Sequence, residues 1–536
     1  MFNAANNKPD LIIVGEWENI KVFRNTGNSF SEASSEYDFS KLSGWWYSIA
    51  SGDFNNDGQL DYLVGNIGEN IKFKASEKEP FHIFTNDFDN SGDQDIVLSY
   101  YYNGELVPSR GRECSSGDMP FITSKCKTYK EFAESSLEEV YGSDKLESAK
   151  EITSEMGKPF SESLLEIDKC IWLCDYYIEN SEKLLEPELI KTEAYKSYVS
   201  FEPLGVIFGI MPWNFPYWQI FRFVIPTIIS GNVTIVKHAP NVTGCCLRIK
   251  KIFSRNIDYK IFQPLIIDTK DVEHIIKNQL VRGVSLTGSD KAGSEVAKLS
   301  GKYVKKTLLE LGGSDAFIVC EDADIEKAAK KAVMARMLNT GQSCIAAKRF
   351  IIHKNVKNKF INQLIHHLSS MKIGDPMLKE TQIGPLARKD LLNQLNLILD
   401  DAIDKGANII YQINDIPKNG YFFRPSIIEN INSSMKAYNC ETFGPLFSIY
   451  TFQEESEAIS LANDTPYGLG GSIWSKNLKN AEILAKKIYT GAIYINEMTK
   501  SDPRLPFGGV GLSGIGRELG AYGIKEFINV KTIYID

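Results

Sequence analysis

Val206-Ile-Phe-Gly-Ile-Met211 runs into Pro212-Trp-Asn214-Phe-Pro216, and this stretch decides the fold. The apolar run is too short for a helix and is stopped by proline, which reads as a buried strand ending in a turn. An amphipathic segment follows. Val233-Thr-Ile-Val236 then repeats the pattern before Lys237-His-Ala-Pro240, and Val284-Ser-Leu-Thr-Gly288 repeats it again. Strand–turn–helix alternation of this kind predicts a parallel α/β sheet. Gly288 and Gly293 open the next helical segment. A helix start led by glycine can take a pyrophosphate on its free N–H groups. Alone, the glycine spacing is equally that of an ordinary turn.

Away from this stretch, the 536 residues predict three to four domains at about 150 residues each. Hydrophobic residues make up 43% and charged residues 24%, enough to build ordinary cores. The net charge of −8, with no long Lys/Arg run, argues against a nucleic-acid partner. Residues 203–221 carry no charge. Pro212, Asn214, Pro216 and Gln219 interrupt them, however, which a lipid-exposed helix would tolerate poorly, so no membrane partner is expected. The first residues, MFNAANNKPD, have neither the basic nor the apolar region of a secretory signal. Nine cysteines without a CxxC pair fit a reducing cytoplasm and give no metal-ligand spacing.

Two residue types then stand out. Cys344 closes the turn Gly341-Gln-Ser-Cys344, and Glu310 lies between Leu309 and Leu311-Gly312-Gly313. A thiol, a carboxylate and the Asn214 amide supply a nucleophile, a base and an oxyanion donor. MPWNFP, KHAPN, LTGS, LELGGSD, GQSCIAAKR, ETFGP and LPFGGVGLSGIGRE follow one another in the order of the aldehyde dehydrogenase superfamily. The resemblance runs from EITSEMGKP to the C-terminus. MPWNFPYWQIFRF and SDPRLPFGG are most similar to the succinate-semialdehyde dehydrogenase branch.

The resemblance implies a Rossmann-like cofactor domain (149–184 and 204–312, without its opening layer) and an α/β catalytic domain (313–512). It also implies oligomerisation strands at 185–203 and 527–536, the last joining a neighbouring subunit's sheet in a dimer or tetramer. The implied reaction is NAD- or NADP-dependent oxidation of an aldehyde, foremost succinate semialdehyde. Cys344 would attack the aldehyde carbon, Asn214 and the Cys344 N–H would hold the oxyanion, and Glu310 would activate water on the thioester. Trp213, Lys237, Gly288, Ser289, Gly293, Leu311, Glu441 and Phe443 would line the cofactor. Arg222 and Ser501 would anchor the distal carboxylate. Pro240 stands where NAD-preferring relatives carry a carboxylate and NADP-preferring ones often carry Ser, while Asp268 adds a negative charge near the expected adenosine. The choice of NAD or NADP stays open.

Residues 1–148 read differently. Asp53, Asn55, Asp57 and Asp61 precede the apolar run 62–64; at an offset of 34 residues Asp87, Asp89, Ser91 and Asp95 precede 96–98. Alternating oxygen ligands form a loop suited to Ca²⁺, and each loop feeds a predicted strand. The loops resemble FG-GAP or VCBS repeats of integrin-like propellers, and SRGRECSSGDMPFITSKCKTYKEFA resembles the ASPIC/UnbV-like end of such proteins. Two or three repeats are fewer than a closed propeller needs. Two further readings therefore compete with the enzyme: a Ca²⁺-binding adhesion-type module carrying a vestigial enzyme, and a joined, non-functional chimera.

Overall fold

A computed structural model describes residues 3–4, 8–14, 18–37, 43–44, 46–52, 61–66, 82–86, 95–102, 105–108, 143–256 and 260–536. The chain divides into two compact units, Met1–Ser143 and Asp144–Asp536. Among the described residues no helix is long and apolar enough to cross a membrane.

The first unit is built from antiparallel pairs. Leu11–Ile13, Lys21–Asn25 and Phe30–Glu32 form one sheet, and His82–Asn86, Asp95–Tyr102 and Glu105–Pro108 another. Val22 is buried within it, and Asp10 accepts the Asn25 N–H at 2.7 Å. The proposed Ca²⁺ ligands Asp53, Asn55, Asp57, Asp87, Asp89 and Ser91 lie outside the described residues. Asp61 and Asp95 begin the strands Asp61–Asn66 and Asp95–Tyr102, and only their backbone is described.

The second unit opens within the helix Ser143–Met156, which the helix Phe160–Leu184 follows. Its first sheet has the order Phe262–Pro264, Val233–His238, Val206–Met211, Val281–Thr287, Lys306–Glu310, Gly514–Ile515. All pairs are parallel except the last. From Val206–Met211 the chain winds outward through 233 to 262, then returns to the other side at 281. The order therefore reverses between Val206–Met211 and Val281–Thr287, and a crevice opens at the carboxyl ends of strands at such a switch point. Trp213 and Asn214, Lys237, Gly288 and Glu310 all lie at those ends.

A second sheet has the order Asn408–Gln412, Ser426–Glu429, Leu446–Phe452, Ala347–His353, Asp315–Val319, Gly471–Trp474, Tyr494–Ile495. Lys306–Glu310 passes through Leu311-Gly312-Gly313 directly into Asp315–Val319. The second sheet thus presents the amino ends of its strands where the first presents carboxyl ends. Cys344, Glu441 and Phe443 precede Ala347–His353 and Leu446–Phe452 on that edge. Val, Ile and Phe dominate these strands because both faces are covered by helices.

The C-terminal strand Ile528–Ile535 pairs antiparallel with Lys196–Pro203 of its own chain over eight residues and forms the edge of that sheet. Glu188–Leu189 completes this three-stranded sheet.

Candidate active site

The helix Pro216–Ile229 starts on Pro216, whose fixed φ and absent N–H suit a first helical position. It buries nearly all of its residues, and Asn214 sits just before it, itself buried. Asn214 Nδ2 donates to the Gln342 carbonyl at 3.1 Å, while its own carbonyl accepts from Asn339 Nδ2 at 2.7 Å. The amide is thereby pinned over the turn that ends in Cys344.

That turn is unusual backbone. Asn339, Thr340 and Gly341 are successive left-handed residues, with φ of 53°, 54° and 75°. Non-glycine residues in that region cost roughly 1–2 kcal/mol each, so the surroundings must fix them. Glu162 accepts the Asn339 N–H at 2.7 Å, Thr340 Oγ1 bonds with Gly384, and Gln342 Oε1 accepts the Ala387 N–H at 3.0 Å. Burial raises the Glu162 carboxyl to about 7, with Lys158 opposing. Gly341 is required: a Cβ there would meet the Gly444 carbonyl at 2.6 Å. Lys348 Nζ finishes the turn by donating to the Ser343 and Cys344 carbonyls at 3.0 and 2.6 Å.

The Cys344 backbone N–H makes no hydrogen bond within the described residues, which leaves it a donor beside the Asn214 amide. The thiol faces Glu310. Burial first, then the Glu310 charge, pushes its pKa well above the ordinary thiol value; Arg222 and Lys348 pull it back. At rest it is a thiol with a carboxylate at hand. Glu310 ends the strand Lys306–Glu310, paired with Gly514, where a Cβ would strike the Leu309 carbonyl.

Arg222, expected at the substrate, faces two carboxylates of the protein. Its Nη2 lies 3.0 Å from Glu310 Oε2 and its Nε 2.6 Å from Glu518 Oε2, with Phe507 covering the guanidinium at 4.7 Å. From this largely buried helix the Arg222 side chain, 2% exposed, reaches the end of the strand carrying Glu310. Glu310 Oε1 has no hydrogen-bond partner among the described residues. Burial raises Glu518 to about 7, with Arg222 opposing and Glu310 adding to it. Ser501, the other expected anchor, is buried and accepts from Lys169 Nζ at 2.7 Å.

The cofactor candidates fall on the same crevice. Ser289 caps the helix Asp290–Lys302, accepting the Ala292 N–H at 3.3 Å, and the helix start is exposed. Gly293 admits Leu311, whose Cδ atoms a Cβ would meet at 2.5 Å; Gly288 is not demanded by space. Lys237 makes no ion pair among the described residues, although it is nine-tenths buried. Glu441 pairs with Lys348 at 3.1 Å and accepts the Gly313 N–H at 3.1 Å. Gly312 lies beneath it, with space that a Cβ would fill at 2.6 Å from Glu441. Trp213 and Phe443 meet edge to face at 5.8 Å. A lysine, a free helix N-terminus, a carboxylate over a glycine cradle and aromatic faces suit a ribose–pyrophosphate–ribose ligand, so a dinucleotide fits this donor set. Pro240 starts a short 3₁₀ turn, and Asp268 caps the next one with Lys270 at 3.6 Å.

Asn339, Gln342, Lys348, Glu162, Glu518 and Lys169 escaped the sequence reading. Asn339 and Lys348 flank GQSC and Gln342 lies within it, so these three were open to a question about what holds that turn. The others lie more than 100 residues away from it in the chain, and only packing brings them in.

Residues 135–533 match the aldehyde dehydrogenase family, and residues 5–64 match the FG-GAP-like repeat. The second match takes in the first Asp/Asn loop and ends before the second. A "Probable succinate-semialdehyde dehydrogenase [NADP(+)]" from Synechocystis sp. is 44% identical over 385 residues, covering 72% of this chain and 85% of that protein. Succinate-semialdehyde dehydrogenase [NADP(+)] 1 of Mycobacterium tuberculosis is 40% identical over 388 residues, with the same shares of 72% and 85%. Among solved structures, succinic semialdehyde dehydrogenase from Streptococcus pyogenes, in complex with NADP⁺, superposes with a TM-score of 0.71 at 34% identity. It covers 81% of this chain and 98% of that one.

Proposed function

The chain belongs to the aldehyde dehydrogenase family, and from that premise we propose that it oxidises succinate semialdehyde to succinate with NADP. Cys344 carries this reading: its thiol faces the Glu310 carboxylate, at the end of the turn whose Gln342 carbonyl the Asn214 amide holds.

In this reading Glu310 takes the thiol proton and Cys344 attacks the aldehyde carbon. The oxyanion that forms is held by the second Asn214 Nδ2 proton and the free Cys344 N–H, donors fixed before the substrate arrives. The bound nicotinamide supplies the hydride acceptor. The thioester left on Cys344 is hydrolysed by water that Glu310 activates. Lys237, Ser289, Gly293, Leu311, Trp213, Glu441 and Phe443 hold the dinucleotide. With no carboxylate at Pro240, nothing there repels a 2′-phosphate near Lys237, and the two curated relatives carry NADP(+) in their names. We assign 149–184 and 204–312 to cofactor binding, 313–512 to catalysis, and 185–203 with 527–536 to assembly into a homo-oligomer.

The test is NADPH formation by the purified full chain on succinate semialdehyde, with NAD and with butanal as comparisons. Absence of reduced cofactor with every aldehyde would overturn the reading. A clear preference for NAD would overturn its cofactor part alone.

A further inference from the structure

The two donors assigned to the oxyanion come from different sheets. Asn214 follows the strand Val206–Met211, while Cys344 ends the turn that leads into Ala347–His353. Asn339 spans them. Its Nδ2 donates to the Asn214 carbonyl at 2.7 Å and to the Gln342 carbonyl at 3.2 Å. The side chain can reach both only while its own backbone stays left-handed, at φ 53°, a conformation that disfavours any residue with a Cβ. The contact that holds this backbone from outside the turn is Glu162, whose Oε2 accepts the Asn339 N–H at 2.7 Å.

Glu162 is anchored to both sides of the crevice. It lies in the first turn of the helix Phe160–Leu184, and Glu166 follows one turn later on the same face. Glu166 Oε1 accepts the Tyr217 and Trp218 N–H groups at 2.8 and 3.0 Å, which ties this helix to the one that Asn214 precedes. Glu166 Oε2 pairs with Lys158, whose ammonium lies 3.8 Å from the centre of the Phe215 ring. On the side of the thiol, the Phe160 N–H donates to the Pro376 carbonyl at 2.8 Å. Gly384, the partner of Thr340 Oγ1, runs so close to Gly157 that a Cβ on it would strike the Gly157 carbonyl. One helix end thus reaches the Asn214 side through Glu166 and the Cys344 side through Glu162. Burial first, with Glu166 adding and Lys158 and the Asn339 N–H opposing, raises the Glu162 carboxyl to about 7. A carboxyl that exchanges its proton near neutrality serves this contact by its oxygen rather than by a fixed charge.

We propose that Glu162 is a positioning residue for the reaction: by holding Asn339 left-handed, it keeps the Asn214 amide and the Cys344 N–H at the spacing that one oxyanion needs. The proposal rests on the oxyanion role given to those two donors in the proposed function. A misplaced donor weakens every tetrahedral intermediate formed at Cys344, whichever acyl group it carries, and leaves dinucleotide binding alone.

The experiment uses two reactions of the full chain: NADP-linked oxidation of succinate semialdehyde, and hydrolysis of p-nitrophenyl acetate without dinucleotide. In the second, Cys344 gives its proton to Glu310 and its sulfur bonds to the acetyl carbon. Then p-nitrophenolate leaves with the electron pair, and water releases acetate from the thioester. This reaction needs the same oxyanion donors but no hydride acceptor. Glu162→Leu should lower kcat in both reactions by about tenfold to hundredfold, with Kd for NADP unchanged. Glu162→Gln, whose amide oxygen accepts the same N–H, should recover most of that loss. If Glu162→Leu does not fold, Asn339→Gly decides. Glycine suits φ 53° yet removes the amide that spans Asn214 and Gln342, so this variant should fold and show the same loss in both reactions. Folded Glu162→Leu or Asn339→Gly with both activities intact overturns the proposal. So does an equal loss in Glu162→Gln, or a loss matched by weaker NADP binding. Ester hydrolysis that depends on Glu162 in a chain that oxidises no aldehyde keeps the positioning role and sinks the dehydrogenase reading instead. A parent inert towards the ester has no oxyanion site to hold and overturns the proposal, whatever its activity with the aldehyde.

Discussion

Arg222 stands 3.0 Å from Glu310, and neither side chain is more than 2% exposed. With Glu518 on its other edge, one guanidinium offsets two buried carboxylates. Removing one partner of such a group leaves charge stranded, which typically costs about 3–5 kcal/mol. Arg222→Ala should therefore melt lower and lose activity by the same factor on succinate semialdehyde and on butanal, because Glu310 serves both. A loss confined to succinate semialdehyde in kcat/KM would show that Arg222 faces the substrate after all.

The thiol and its base can be separated by kinetics. Cys344→Ala should lower turnover by more than about a thousandfold while still binding the dinucleotide. Glu310→Gln should form one NADPH per site, more slowly than the parent, and then stall at the thioester. Because the buried thiol must then lose its proton to solvent, the rate of that burst should rise with pH. Steady turnover within tenfold of the parent in Glu310→Gln would remove Glu310 from the hydrolytic step.

The strand Val206–Met211 and the α/β alternation were legible because uninterrupted apolar runs bounded by Pro and Gly have few other uses. Cys344, Glu310 and Asn214 were legible from the order of their motifs. Arg222 was placed correctly on its helix, but its partners were not visible: Glu518 lies 296 residues downstream, and a one-dimensional pattern carries no record of which carboxylate a buried cation meets. Lys169 was hidden for a different reason. A Lys within the run Phe160–Leu184 reads as a solvated face, and only the placement of Trp218 and Ser501 around it reveals a partly buried one.

Gly341 tests how firmly the turn places Cys344. With φ at 75° and a Cβ meeting Gly444 at 2.6 Å, Gly341→Ala must shift either the turn or the Gly444 backbone. The left-handed conformation alone costs about 1–2 kcal/mol for alanine. The expected outcome is a lower melting temperature together with a fall in kcat of about a hundredfold, since a displacement of about 1 Å is felt at that scale. A variant that melts lower but keeps its kcat would show that the thiol is positioned from the Lys348 side instead.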